Sequence, residues 1–133
     1  MIVVDTNVIA YLMINGEFTD RAKKVFMKDP EWVAPVLWKY EFLNILATLV
    51  NTGRADLNDV IKHYEKTIKI LSRIEKEPNY DNVLSLTKHH KISAYDAQFV
   101  SLAMEINIPL ITQDNQLLEN FPDLAKSMHQ FIS

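Results

Sequence analysis

The sequence predicts an α/β domain, helix-rich, built on a small and mainly parallel central sheet. Three observations carry this expectation. A β-branched run, Ile2-Val3-Val4, stops at the polar Asp5-Thr6-Asn7, and a second apolar run, Leu110-Ile111-Thr112, stops in the same way at Gln113-Asp114-Asn115. Between them, apolar residues recur at helical spacing over several long stretches. Strands that alternate with helices imply a parallel sheet with helices on both faces and right-handed crossovers. The carboxyl ends of such strands open onto the ligand crevice, so acids at those ends are expected to meet there.

The elements follow in order. Ile2–Val4 reads as a strand, and Asn7–Ile14 as a short apolar helix that stops before Asn15-Gly16. Thr19-Asp20 starts a helix that places Ala22, Val25 and Phe26 on one face until Asp29-Pro30; Trp32-Val33-Ala34 is a short strand, and Pro35 suits the start of a helix. From Val36 to Asn51 the positions Leu37, Tyr40, Leu43, Ile45, Leu46, Leu49 and Val50 give a broad buried face, with Glu41 one turn in. Asp56 caps an amphipathic helix whose apolar side holds Val60, Ile61, Tyr64, Ile68 and Leu71 and which ends near Ser72–Lys76. Asn79–His89 is a further helix. Ser93-Ala94-Tyr95-Asp96 caps and begins one that runs to about Ile106, and Pro109–Thr112 is a strand. Asp114–Asn120 reads as a short helix, and Leu124–Phe131 as a final strand or an irregular tail.

At 133 residues the chain is expected to form one domain, residues 1–133, which buries roughly 70% of the surface its unfolded chain exposes. Hydrophobic residues make up 48% of it, and no apolar run approaches the roughly 20 residues that span a bilayer. No basic segment followed by an apolar stretch opens the chain, so a cytoplasmic location is the default expectation. The absence of cysteine excludes disulfides, thiol nucleophiles and thiolate metal sites, so any metal is held by oxygen or imidazole. A net charge of −3 argues against a strongly basic nucleic-acid binder. It does not exclude nucleic acid as a substrate, because carboxylates bound to divalent ions no longer repel a phosphate chain in full.

Four acids stand where the pattern changes: Asp5 and Asp114 after the two apolar runs, Glu41 inside one helix and Asp96 at the start of another. An oxygen-rich site of this kind suits Mg²⁺ or Mn²⁺, which take carboxylates, keep waters and leave positions for phosphate oxygens. Such ions lower the pKa of a bound water and neutralise charge on a phosphodiester transition state; two of them about 4 Å apart serve nucleophile and leaving group. Without metal, clustered carboxylates disfavour joint ionisation, so at least one pKa is expected to rise.

The segments Val3-Val4-Asp5-Thr6-Asn7-Val8, Glu41-Phe42-Leu43-Asn44-Ile45-Leu46, Ser93-Ala94-Tyr95-Asp96-Ala97 and Leu110-Ile111-Thr112-Gln113-Asp114 resemble, in order and spacing, the PIN domain. The resemblance spans nearly the whole chain and implies a three-layer α/β/α sandwich. A stand-alone domain this short looks most like a VapC-type toxin, a family associated with metal-dependent endoribonuclease activity and an antitoxin partner. It implies that Asp5, Glu41, Asp96 and Asp114 form an acidic quartet, with Asp5, Asp96 and Asp114 as ligands of Mg²⁺ or Mn²⁺. Glu41 and Asp114 would bind directly, through water, or orient the attacking water. Thr112 matches a hydroxyl position of the family, and Thr6 and Asn7 are placed to hydrogen-bond the ligands. Where some members carry a further acid, Asn115 and Gln116 stand here, which leaves open one ion or two.

Each acid alone also has an ordinary reading as a turn, cap or helix-start residue, except Glu41, whose helix is apolar on most sides. His63, His89, His90 and His129 lack a zinc-ligand spacing, and the run Lys88–Lys91 reads more readily as a solvated helix end than as an RNA contact. Lys39 and Arg54 are the candidates for a phosphate rim. Trp32, Trp38, Tyr11 and Met13 are expected to fill the core, with an exposed subset left for a homodimer or antitoxin surface. Two rival functions are a module of the same fold that grips RNA or protein without turnover, and a phosphohydrolase or receiver-like module. The second lacks a lysine paired with an acid, and the first would be favoured by loss of one acid, whereas all four are present.

Overall fold

The structure, a computed structural model, describes residues 1–133. Its order is β1 (Ile2–Val4), α1 (Thr6–Met13), α2 (Thr19–Lys28), β2 (Trp32–Val33), α3 (Leu37–Asn51), α4 (Leu57–Leu71), α5 (Tyr80–His90), α6 (Ala94–Ile106), β3 (Leu110–Ile111), α7 (Asn115–Asn120), β4 (Ala125–Lys126) and α8 (Met128–Ile132). The four strands form one parallel sheet in the order β2-β1-β3-β4. Every residue of β1, β2 and β3 is buried, so both faces of the sheet are covered, as parallel sheets require. The predicted helix-rich α/β architecture is the one observed.

The apolar side chains gather into one core of 29 buried residues around β1 and β3, including Trp38, Phe42 and Phe99. Trp32 and Trp38 are core residues as expected, whereas Tyr11 and Met13 are only partly buried against it. The indole N–H of Trp38 is buried without a hydrogen-bond partner.

Caps fix where the helices begin. Asp5, Asp56, Ser93, Asp114 and Ser127 each accept a backbone N–H of the first turn of α1, α4, α6, α7 and α8. Two left-handed residues stop helices, Lys91 (φ 55°) after α5 and Asn107 (φ 61°) after α6.

Two segments differ from the sequence-based expectation. Beyond α4 the chain turns and lies beside β2: Ala34 N–H donates to Ile74 O and Lys76 N–H to Ala34 O, both at 3.0 Å, in a parallel bridge between Ala34 and Glu75. The end of the chain holds the expected final strand, but only as two residues, and continues as a helix in place of an irregular tail. Only Ala125 and Lys126 pair with β3; then Ser127 and Gln130 close a reciprocal capping box that starts α8. The Ser-x-x-Gln spacing was the available signal.

Candidate active site

The strand order sets the location of the site. From β1 the chain crosses to β2 on one side, then returns past β1 to β3 on the other, so the crevice opens at the carboxyl ends of β1 and β3. Parallel pairing of Val3 with Leu110 and Val4 with Ile111 brings the next residues of both strands together. Asp5 N–H donates to Ile111 O at 2.9 Å, and the Thr112 hydroxyl donates to Asp5 Oδ2 at 2.7 Å across 107 residues of sequence.

Asp5 is 8% exposed, and both its oxygens are occupied: Oδ1 caps α1 by accepting Thr6 N–H at 2.8 Å, and Oδ2 also receives a long 3.4 Å bond from Asn7 Nδ2. Burial pushes its carboxyl up to about 7, against the hydrogen bonds from Thr112 and Thr6; the charges of Glu41 and Asp96 raise it a little further. Glu41, half-buried on α3, accepts the Thr6 hydroxyl at 2.6 Å. Its carboxyl is raised by burial, against the Thr6 bond, with a smaller contribution from Asp96. Asp96 lies in the first turn of α6, where its N–H donates to Ser93 Oγ at 3.0 Å. Burial and then the charge of Asp114 raise it, against the Ser93 bond. Asp114 caps α7 through Gln116 and Leu117 N–H, and its own N–H donates to Thr112 Oγ1 at 3.0 Å. The upward shifts expected from clustered acids are present, but loss of water is their leading cause and mutual repulsion comes second.

All four acids line one open cleft of about 630 Å³, together with Thr6, Asn7, Leu37, Tyr40, Asn44, Ile45 and Tyr95. Thr112 stands beneath it, buried and bonded to Asp5 and Asp114. The ordinary capping readings of Asp5 and Asp114 are therefore true as well: the same carboxylates end the loops and line the cleft.

The two rim cations fall outside. Lys39 lies 3.6 Å from Glu75 and 5.7 Å from the Tyr40 ring centroid, and it does not line the cleft. Arg54 sits beyond the far end of α3, its Nε donating to Thr52 Oγ1 at 2.9 Å. In both cases closeness in sequence to Glu41 or to its helix was a poor guide, because the helix turned one cation aside and carried the other away. The run around His89 and His90 ends α5, with His90 packed on Phe121 at 4.6 Å between ring centroids. Sequence reasoning passed over Leu37, Asn44 and Ile45 as cleft residues. They stand four before, three after and four after Glu41, on the same helical face.

The chemistry of the donors fits a hard divalent cation, with four carboxylates, the amides of Asn7 and Asn44 and the hydroxyls of Thr6, Tyr40 and Tyr95, and no imidazole or sulfur ligand in the lining. No three acid or imidazole side chains lie close enough to enclose an ion by themselves. Mg²⁺ is commonly held by one or two protein carboxylates, with the remaining positions given to water and phosphate.

The match to the PIN domain model covers residues 2–124, and the chain belongs to the PIN domain family. Among individual proteins it is similar to ribonuclease VapC3 of Pyrobaculum aerophilum, 29% identical over 130 residues that cover 93% of this chain and 97% of that one. Exonuclease VapC9 of the same organism is 30% identical over 79 residues, 59% of each chain. The fold matches the crystal structure of PAE2754 from Pyrobaculum aerophilum with a TM-score of 0.79 at 22% identity, over 98% of this chain and 92% of that one. It also matches FitAcB from Neisseria gonorrhoeae, with a TM-score of 0.71 at 20% identity over 97% and 99%.

Proposed function

We propose that this chain is a metal-dependent endoribonuclease that hydrolyses RNA phosphodiester bonds as the toxin of a toxin–antitoxin pair. The observation that carries the reading is the convergence of Asp5, Glu41, Asp96 and Asp114, from two strand ends and two helices, on one open cleft. We assign Mg²⁺ or Mn²⁺ to Asp5 and Asp96, with Asp114 reaching it directly or through a bound water, since no three acids stand close enough to enclose an ion by themselves. When bound, the ion supplies an acidified water and a positive charge beside the phosphate. Glu41, fixed by Thr6, is placed to orient the attacking water and take its proton, a role its raised pKa favours. Thr112 and Asn7 hold Asp5 in position.

Similarity to a protein named ribonuclease VapC3 over nearly all of both chains supports RNA as the substrate. The resemblance to VapC-type toxins supports an antitoxin partner. Leu43, Leu57 and Ile61 line an apolar groove of about 400 Å³ between α3 and α4 on which association can rest. No helix is long and apolar enough to cross a membrane.

The test is cleavage of linear and circular RNA by wild type and Asp96→Asn, with Mg²⁺ or Mn²⁺ and with chelator. Metal-dependent cutting of the circle, absent from the variant, is the expected result. Cutting of the linear RNA alone would make the enzyme an exonuclease, the activity in the name of the second relative. Wild-type rates from Asp96→Asn would remove the site assignment.

A further inference from the structure

The cleft contains a feature the acidic quartet does not explain. Among its lining residues there is no lysine, arginine or histidine, so no protein cation inside it meets a phosphate chain. It does contain two tyrosines, and each immediately precedes an acid of the quartet: Tyr40 before Glu41 on α3, and Tyr95 before Asp96 on α6. Successive helical residues point about 100° apart, so a helix that turns its carboxylate inward leaves the tyrosine before it towards the lip. Both rings are largely in water, 59% exposed for Tyr40 and 62% for Tyr95. Neither belongs to any of the five aromatic pairs of the fold. Lys39, paired with Glu75 and outside the cleft, lies over the Tyr40 ring at 5.7 Å from its centroid.

Core packing therefore does not account for these rings: Tyr95 has no aromatic or cationic partner, and Tyr40 is met only by the Lys39 ammonium over its ring. Two exposed aromatic residues beside a phosphate-processing site supply what the acidic lining lacks, a source of affinity that does not depend on charge. Nucleobases have that complementary chemistry: every base has a π-face, and stacking on aromatic side chains is how unpaired RNA is gripped without basic residues at each phosphate. Bases within a duplex are already stacked and cannot be received in this way.

We propose that Tyr40 and Tyr95 are stacking platforms for the nucleobases flanking the scissile phosphate, and that they restrict the enzyme to unpaired RNA. The inference rests on the nuclease reading above and adds two binding residues to it. The tyrosines position the substrate and take no part in the proton transfers.

The experiment compares wild type, Tyr40→Ala, Tyr95→Ala, the double alanine variant and the two phenylalanine variants. Affinity is read from the fluorescence anisotropy of a short labelled RNA, single-stranded or annealed to its complement, in Mg²⁺; KM and kcat are read separately. Each alanine is expected to weaken binding and raise KM by about tenfold, and the pair by about a hundredfold, with kcat little changed. Phenylalanine, which keeps the ring, should restore both values, and the duplex should bind weakly to every form. Unchanged KM in the double alanine variant of a cutting enzyme overturns this inference and leaves the nuclease standing. Binding of the duplex as tight as that of the single strand also overturns it, as does a loss of self-association in the alanine variants with RNA affinity intact. If wild type binds the single strand through its tyrosines but cuts nothing, the platforms stand and the nuclease reading falls.

Discussion

Asp5 has three roles at once: cap of α1, partner of Thr112 across the sheet, and the most buried carboxylate of the cleft. A carboxyl that titrates near 7 is mostly neutral in mildly acidic solution, and its negative charge destabilises the metal-free fold above neutrality. Asp5→Asn is close in size and removes the charge at the cost of one acceptor oxygen, so it should abolish cleavage and make the thermal midpoint of the metal-free protein fall less between pH 5.5 and pH 8 than that of wild type, which calorimetry would show. Thr112→Val removes the hydroxyl that donates to Asp5 and accepts from Asp114 N–H; a loss of about 1–3 kcal/mol in chemical denaturation is expected, together with weaker metal binding. All four acids could be read from the sequence, because each stands where an apolar pattern breaks. Lys39 could not be placed correctly, since its position two residues before Glu41 says nothing about Glu75, brought alongside by the chain beyond α4. Tyr95 carried no signal either: on α6 an exposed tyrosine and a core tyrosine look alike until the neighbours are known.

At the scale of elements, the site depends on how helices begin. Ser93 caps α6 by accepting Asp96 N–H, so the cap and the candidate ligand share one hydrogen bond. Asp56 caps α4 in a comparable way, accepting Asn58 N–H at 3.0 Å, but α4 brings no residue to the cleft. Ser93→Ala and Asp56→Ala should each cost about 1 kcal/mol in denaturant titrations. Only Ser93→Ala should also lower the cleavage rate, because it loosens the turn that aims Asp96; equal rates in both would show that the cap serves stability alone. α6, begun by its Ser93 cap, was legible in the sequence to within a residue or two, and α4 was legible at its capped start and along its apolar side though not at its end. β4 was legible only as one of two readings and not in its bounds, since a two-residue strand has too few positions to show alternation, and α8 was missed because it is defined by its capping box more than by an apolar stripe.

For the whole molecule, the raised acids couple stability to pH and to metal. Asp5 rises from 3.8 to about 7, and Glu41 and Asp96 shift in the same direction, so the native state holds more protons than the unfolded chain in that range. The stabilisation is therefore complete below about pH 4 and is lost as pH rises through 7. Relative to Asp5→Asn, metal-free wild type should lose about 1.4 kcal/mol of unfolding free energy per pH unit across this window. Mg²⁺ or Mn²⁺ should restore more at pH 8 than at pH 5.5, where protons compete for the same oxygens, and a thermal shift series at the two pH values would measure the difference. The meeting of Asp5 with Thr112, separated by 107 residues, has a consequence for biosynthesis. On the ribosome Asp5 emerges 107 residues before the Thr112 hydroxyl that it accepts, and Asp114 follows two residues after that. Until then β1 has no neighbour on that side and the cleft has no floor. On the nuclease reading proposed above, the chain is thus assembled beside the cell's densest store of RNA in a form that has nothing yet to cut with.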